Sequence, residues 1–242
     1  MPRRRADLLL VERGFFASRA KAQAAIAAGL VTIDGTPVTK ASDQVWAEAE
    51  IAAEAPHPWV SRGGVKLAAA LDAFAIDPRG LICLDLGAST GGITEVLLTR
   101  GAERVYAVDV GHGQLHPKLA ADPRVVSLEA TDARRLDRIL APEPIELLVA
   151  DVSFISLKLV LPPVVPLLAP GAALVALVKP QFEAGPALAR KGVVRDEAVQ
   201  RRVCDDIGAF VVSLGFEVAG LMPSPILGRE GNREFLIGAR RG

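Results

Sequence analysis

The chain has 242 residues, half of them hydrophobic, so it can bury a sizeable core in one large domain or in two unequal ones. Its 28 basic and 28 acidic residues cancel, so the net charge gives no information about partners. The two cysteines, Cys83 and Cys204, have no C-x-x-C partner, which argues against a zinc or disulfide framework and fits a reducing, cytoplasmic compartment.

The N-terminal quarter predicts a small α+β domain. The stretch ADLLLVERGFF is typical of a short amphipathic helix that ends at Gly14. Ser18 is placed to cap a second helix, which stops at Gly29. Asp34-Gly35 between alternating apolar residues predicts a hairpin, and residues 44–54 predict one more strand.

Basic residues concentrate in this first part of the chain. Residues 1–40 hold seven basic and three acidic side chains, a local excess that is typical of a nucleic-acid-binding face. A second basic stretch, ALARKGVVRD, is either a solvated loop or a lip that contacts phosphates. The candidate RNA contacts are Arg3, Arg4, Arg5, Arg19, Lys21, Arg62, Arg190 and Lys191.

Neither an export signal nor a membrane span is predicted. The apolar run after Arg3–Arg5 is only four residues long before Glu12, too short for a signal peptide. Residues 157–178 are apolar, but prolines interrupt them and Lys158 lies inside, whereas a spanning helix needs about 20 mostly apolar residues. A helix followed by a strand is the better prediction.

From residue 62 onward, helices and strands alternate, which predicts an α/β fold with a mostly parallel sheet covered by helices on both faces. The last two of seven strands have no helix between them and are expected to pair antiparallel. We expect the fourth and fifth strands to flank the point where the strand order reverses, and the last strand to insert beside the fifth.

A glycine-containing loop follows the first strand of this part, in LDLGASTGG. Gly87, Gly91 and Gly92 allow close approach to a ligand, but the spacing differs from the dinucleotide fingerprint G-x-G-x-x-G. Acids at the ends of four successive strands suit S-adenosylmethionine and suit NAD poorly, although any one of them is also explained as a helix N-cap. The predicted cofactor-binding residues are Asp85, Gly87, Ala88, Ser89, Thr90, Gly91, Gly92, Asp109, Val110, Asp132, Ala133 and Asp151.

The stretch LVALVKPQFEAG puts Lys179 at the tip of a core strand, before a proline that cannot donate to a sheet ladder. A lysine at a strand end is ordinarily a solvated terminus. Here Asp151 ends the neighbouring strand, and Glu234 at the start of the last strand is expected to face Lys179. Together with Lys66 they form a charge-balanced set in which a lysine can serve as a general base.

Six motifs occur in one order along nearly the whole chain: WVSRGGVKL, DLGASTGG, DVSFIS, LVKPQFEAG, KGVVRD and GNREF. They resemble the TlyA family of rRNA cytidine 2′-O-methyltransferases, historically labelled hemolysin A. That family joins an S4 RNA-binding domain to an RrmJ/FtsJ-like domain with a Rossmann-like, class I methyltransferase fold. The resemblance implies an S4 domain at 1–55, a linker at 56–61 and a methyltransferase domain at 62–242.

The resemblance also implies the roles of the charged set, which matches the K-D-K-E tetrad of the RrmJ/FtsJ-like enzymes. Lys179 takes the proton from a ribose 2′-hydroxyl, Asp151 orients it, and Lys66 and Glu234 hold the hydroxyl and the second lysine. The implied enzyme is cytoplasmic and monomeric, uses S-adenosylmethionine without a metal, and acts on rRNA. The early start of the S4 helix matches the shorter form of the family, which favours the large subunit.

One departure and two alternatives accompany this interpretation. Ser89-Thr90 stands where the wider superfamily more often has Ala-Pro, a change that a backbone cradle should tolerate. A membrane-acting cytolysin would require an export signal or an amphipathic or spanning segment. An RNA-binding protein without catalysis would not need the tetrad. His112 and His116 lie four residues apart with no supporting Cys or carboxylate pair, so no metal site is predicted.

Overall fold

The computed structural model describes residues 3–53, 57–185, 188, 192–228 and 231–242. The chain divides into two compact units, Met1–Pro58 and Trp59–Gly242. Arg190 and Lys191, two of the predicted RNA contacts, lie outside the described residues, as does Pro56 of the predicted linker.

The described residues of the first unit form two helices and two small antiparallel sheets. Strand β1 pairs with β4, and the other sheet has the order β3-β2-β5. A turn in which the Ala49 amide donates to the Trp46 carbonyl (3.1 Å) divides the single strand predicted at 44–54. The elements are β1 Arg3–Arg5, α1 Ala6–Glu12, α2 Arg19–Ala27, β2 Val31–Ile33, β3 Thr36–Pro37, β4 Gln44–Trp46 and β5 Ile51–Ala53.

The predicted helix boundaries of this unit are confirmed. The Ser18 side chain accepts a hydrogen bond from the Lys21 amide (3.4 Å) and begins α2. Gly14 and Gly29 follow the two helices with φ of +77° and +72°, a left-handed conformation that glycine adopts without steric cost. Strand β1 was not predicted, because three consecutive arginines lack the apolar alternation of a half-buried strand.

The second unit is built around a seven-stranded sheet with the order β11-β12-β10-β9-β6-β7-β8. Strand β12 runs antiparallel to both β10 and β11 and lies between them, as expected. The elements are α3 Gly63–Ala73, β6 Ile82–Leu86, α4 Gly92–Thr99, β7 Arg104–Val108, α5 Pro117–Ala120, β8 Val125–Leu128, β9 Ile145–Ala150, α6 Leu157–Val164, β10 Leu168–Val178, α7 Pro180–Glu183, α8 Glu197–Ser213, β11 Phe216–Pro223 and β12 Phe235–Arg241.

One expectation about this sheet is wrong. The strand order reverses between β6 and β9, the first and fourth strands of the unit, and not between the fourth and fifth. The chain builds outward from β6 to β7 and β8, then crosses back so that β9 pairs with the free edge of β6. Asp151 therefore borders the reversal, while Lys179 lies one strand farther along.

Both faces of this sheet are buried, which accounts for the continuous apolar runs of its strands. Leu148 and Leu174 pack with helices α6 and α8 on one face. Their neighbours Leu147 and Val175 pack with α3 and α4 on the other. Within the described ranges, no helix is long and apolar enough to span a membrane.

Candidate active site

A cleft of about 740 Å³ lies at the carboxyl ends of the parallel strands in the second unit. The loop after β6, the segments after β7 and β9, and the beginning of α7 line it. This is the edge at which open α/β sheets bind ligands, because strand ends and helix N-termini converge there. All four residues of the predicted charged set line this cleft.

Two lysines and two acids form a connected chain of charges there. The Lys179 ammonium faces Asp151 Oδ1 at 2.6 Å. The Lys66 ammonium lies 2.5 Å from Glu234 Oε2 and 4.0 Å from Asp151 Oδ2. Lys66, Lys179 and Glu234 are only 8, 6 and 4% exposed. Charges withdrawn from water to this extent need partners, and each has one here.

The partner of Glu234 differs from the prediction. Glu234 was expected to face Lys179, but its close ion pair is with Lys66 on α3. Glu234 directly precedes β12, while α3 carries Lys66 in its first turns. The two side chains meet over the end of the sheet, so Glu234 neutralises Lys66 and leaves Asp151 to Lys179.

The position of Lys179 follows from the elements on either side of it. Strand β10 is buried along its second half and ends at Val178, and Pro180 is the first residue of α7. Proline is well suited to the first helical position, since its missing N–H has no intrahelical partner there and its φ is already helical. The chain thus turns directly after Lys179, which remains at the strand tip with its ammonium in the cleft.

The glycine loop closes against the fourth strand of the unit. Gly87 has φ of +86°, and a Cβ at this position would lie 2.5 Å from the Asp151 carbonyl oxygen, so only glycine fits. Asp109, at the end of β7, accepts hydrogen bonds from the amides of Ser89 (2.8 Å) and Gly111 (2.7 Å). This carboxylate therefore holds the loop in place while it also lines the cleft.

Most of the predicted cofactor residues line the cleft, and two do not. Asp85 is fully buried below the loop, where it accepts a hydrogen bond from the Thr94 hydroxyl (2.6 Å). Gly91 packs toward Leu115 and Leu119. The predicted residues that line the cleft are Gly87, Ala88, Ser89, Thr90, Gly92, Asp109, Val110, Asp132, Ala133 and Asp151.

Asp132 is a helix N-cap, the alternative role that its sequence left open. Its carboxylate accepts from the Arg134 amide (2.9 Å) and caps the short 3-10 helix Ala133–Arg135. The same carboxylate also forms an ion pair with the Arg134 guanidinium (2.6 Å), and these bonds hold the pKa of Asp132 down at about 2. Asp132 is therefore ionised at neutral pH and already has partners in the cleft wall.

Burial raises the pKa of Asp85 from 3.8 to about 7, and the nearby charge of Asp151 adds to the effect. As pH rises, the carboxyl loses its proton more readily in the unfolded chain than in the folded one. Rising pH therefore favours the unfolded state and lowers the free energy of unfolding. The measured quantity is the free energy of unfolding of Asp85→Asn minus that of the unaltered chain. We expect this difference to grow by about 3 kcal/mol in favour of the variant between pH 4 and pH 7.

Urea unfolding followed by circular dichroism across this pH range measures the difference. Asp206→Asn is the matched control, because it removes a carboxylate whose side chain is 70% exposed instead of buried. A difference for Asp85→Asn that stays flat across this pH range would show that burial does not raise the pKa of Asp85.

Sequence reasoning missed several residues of the cleft. Ser153, Phe154 and Phe182 all line it, and the rings of the two phenylalanines lie 5.0 Å apart. Phe154 is 82% exposed and has φ of +64°, unusual for an aromatic residue. The motif DVSFIS contains Ser153 and Phe154, but nothing in its pattern indicates that the phenylalanine is exposed.

The predicted basic face of the first unit is organised around one buried acid. Asp7 is fully buried and accepts hydrogen bonds from Arg5 (3.0 and 3.1 Å), Arg19 (2.9 Å) and Gln23 (2.8 Å). These bonds, the one from Arg5 foremost, hold the pKa of Asp7 well below its usual range. The carboxylate therefore fixes two of the predicted RNA contacts in place.

The other predicted RNA contacts that the structure describes lie in two places. The Arg3 guanidinium stacks 4.6 Å from the centre of the Trp46 ring, and Arg4 is exposed next to it in β1. Lys21 lies in the first turn of α2. Arg62 lines the cleft of the second unit and donates to the Leu227 carbonyl (3.5 Å). Among the described residues, no group of His, Cys, Asp or Glu side chains is arranged to hold a metal ion.

Comparison with known proteins gives two family matches that together cover most of the chain. The S4 domain family matches residues 4–51. The FtsJ-like methyltransferase family matches residues 59–241.

Individual relatives are similar over the same span. The 16S/23S rRNA (cytidine-2′-O)-methyltransferase TlyA of Mycobacterium tuberculosis is 45% identical over 98% of this chain and 90% of its own length. The 23S rRNA (cytidine-2′-O)-methyltransferase TlyA of Campylobacter jejuni is 36% identical over 73% of this chain and 69% of its own. A solved structure from Streptococcus thermophilus, named "putative hemolysin", is 41% identical, with a TM-score of 0.78 over 100% of this chain and 89% of its own.

Proposed function

Because this chain belongs to the FtsJ-like methyltransferase family, we propose that it methylates a ribose 2′-hydroxyl, that of a cytidine, in ribosomal RNA, with S-adenosylmethionine as methyl donor. The observation that carries the proposal is the chain of four charges, Lys66, Asp151, Lys179 and Glu234, in the cleft beside the glycine loop. The sequence resemblance implied these four residues. In the fold, each charged group lies within 4.0 Å of the next, in the order Glu234, Lys66, Asp151, Lys179.

The residues of the cleft fit S-adenosylmethionine. Gly87 approaches the Asp151 backbone too closely for any Cβ and lines the cleft, and Asp109 and Asp132 supply acceptors for hydroxyl and amino groups. Val110 is 75% exposed and offers an apolar surface to a flat ring. When bound, the donor would supply a sulfonium methyl to the ribose oxygen, and its sulfur would keep the electron pair of the broken carbon–sulfur bond.

Within this proposal, Lys179 is the general base that accepts the proton of the 2′-hydroxyl. Asp151 faces it at 2.6 Å and stabilises the ammonium that forms. Lys66 remains charged in its ion pair with Glu234, and its ammonium lies near the ribose oxygen as negative charge develops there. Most of the rate enhancement then comes from the fixed geometry of these groups.

The proposed RNA contacts belong to both units. The Asp7-centred arginines and the exposed Arg3 and Arg4 give the first unit a basic face for phosphates. Its affinity for RNA should fall with salt, because phosphate contacts release counterions. In the second unit, the exposed ring of Phe154 at the cleft offers a surface on which an unstacked base can pack.

We favour large-subunit RNA as the substrate of a monomeric enzyme in the cytoplasm. The names of the relatives from Mycobacterium tuberculosis and Campylobacter jejuni have 23S rRNA in common, and only the first also includes 16S rRNA.

The decisive experiment incubates the chain with S-adenosylmethionine labelled in the methyl group and with isolated 30S, 50S or 70S particles. Label in the RNA of the 50S sample, located by digestion to a 2′-O-methylcytidine, is the expected result. Absence of label from RNA in all three samples would overturn the proposal. Label confined to 30S RNA would keep the chemistry and overturn the choice of the large subunit.

A further inference from the structure

We propose that Ser153 is a positioning residue for the general base, and that its hydroxyl sets the direction in which the Lys179 amine presents its lone pair. The inference rests on the proposed function and adds to the tetrad a residue outside it. Ser153 Oγ lies 3.0 Å from Lys179 Nζ, with the amine as donor, and both residues line the cleft.

The chemistry of an amine base makes this contact important. A neutral lysine amine has two N–H bonds and one lone pair, and rotation about the Cε–Nζ bond decides where the lone pair points. Asp151 Oδ1 faces the amine at 2.6 Å, and Ser153 Oγ accepts a hydrogen bond from it at 3.0 Å. The carboxylate alone leaves the amine free to rotate about that one contact, so the serine hydroxyl supplies the second fixed direction that selects one rotamer.

The backbone next to Ser153 is held in an unusual conformation. Phe154 has φ of +64°, a left-handed conformation that is sterically unfavourable for a residue with a Cβ. The chain therefore bends immediately after Ser153. Strain of this kind persists where surrounding contacts fix the backbone, and it clusters at functional sites.

Contacts just beyond the bend supply that constraint. Glu183, on the short helix that begins just after Lys179, accepts hydrogen bonds from the Ser156 hydroxyl (2.5 Å) and the Leu157 amide (2.8 Å). The segment that carries Ser153 is thus tied to the same helix that follows the catalytic lysine. Serine and lysine are positioned as one unit, although they are 26 residues apart.

A solvated surface serine would differ in two respects. Its replacement would leave catalysis unchanged, and its hydroxyl would have water as an equivalent partner. Ser153 is exposed to the cleft, but the ammonium to which it is bonded is only 6% exposed. Substrate that fills the cleft displaces the water that would otherwise replace the hydroxyl, so the contact should matter most in the loaded enzyme.

The test compares Ser153→Ala with Ser153→Thr in single-turnover and steady-state methylation of the RNA substrate. We expect Ser153→Ala to lower kcat about tenfold, the effect of one hydrogen bond to a charged group, with both KM values unchanged within about twofold. Ser153→Thr keeps a hydroxyl and should recover most of the rate. Ser213→Ala, which removes a serine hydroxyl at the exposed end of α8, is the matched control and should leave kcat unchanged.

Binding of S-adenosylmethionine and thermal unfolding are measured on the same variants. Wild-type kcat in Ser153→Ala would overturn the inference and leave the proposed function standing. A rate loss that threonine does not recover, or one accompanied by lost donor binding or lost stability, would also overturn it. Absence of RNA methylation by the unaltered chain would overturn the proposed function, and the inference with it.

Discussion

Replacement of Lys179 by alanine is expected to lower kcat for RNA methylation by about 10²–10⁴-fold, the usual contribution of a positioned general base. In the proposed mechanism the amine at the tip of β10 accepts the hydroxyl proton, and alanine cannot substitute for it. Binding of S-adenosylmethionine should persist, because the glycine loop and Asp109 lie on other strands. Equilibrium binding of the labelled donor and single-turnover methylation, measured on one preparation, separate the two effects.

Lys158→Ala is the matched control for this variant. Lys158 is also a lysine of the second unit, but its side chain is 44% exposed and pairs with Asp206 at 3.4 Å on the surface. We expect its replacement to leave kcat within about twofold of the unaltered chain, because exposed ion pairs contribute little. Equal methylation by Lys179→Ala and the unaltered chain would contradict the role given to Lys179.

Replacement of Glu234 by alanine should have the largest effect on stability. It leaves the Lys66 ammonium, 8% exposed, with Asp151 at 4.0 Å as its remaining acid. Removal of one partner from a buried ion pair costs about 3–5 kcal/mol, since the other charge stays buried without compensation. We expect the free energy of unfolding to fall by about 3 kcal/mol, as measured by urea denaturation, and methylation to be lost.

A double variant separates stability from catalysis at this pair. Lys66→Met combined with Glu234→Leu removes both charges and fills their volume, which should bring the free energy of unfolding back to within about 1 kcal/mol of the unaltered chain. Methylation should remain lost, because the double variant lacks the Lys66 charge that the proposed mechanism places beside the ribose oxygen. Recovery of activity in the double variant would show that the pair serves the fold alone.

Glu197→Ala provides the surface comparison for this prediction. Glu197 pairs with Arg233 at 2.9 Å, but the two side chains are 69 and 61% exposed. We expect its loss to change the free energy of unfolding by about 0.5 kcal/mol or less. A cost for Glu234→Ala as small as that of Glu197→Ala would contradict the burial argument.

Local patterns predicted much of this fold. The alternation of helices and apolar strands after residue 62 predicted a mostly parallel sheet, and Ser18, Gly14 and Gly29 marked helix ends correctly. These features depend on neighbours within a few residues, as caps and turns do. The short strand β1 was missed because its partner residues in β4 lie 39 to 43 residues further along the chain and leave no local signal.

The sequence by itself determined which residues end the strands: Asp109, Asp151 and Lys179 follow apolar runs that could only be buried. Only the tertiary structure decided how the charged groups pair. Lys66 and Glu234 are 168 residues apart, and they meet because β12 inserts beside β10 and brings the residue before it to α3. Asp85 looks like the other strand-end acids in sequence, but burial below the loop removes it from the cleft. Partner choice and burial depend on which elements pack together, and no local pattern encodes that.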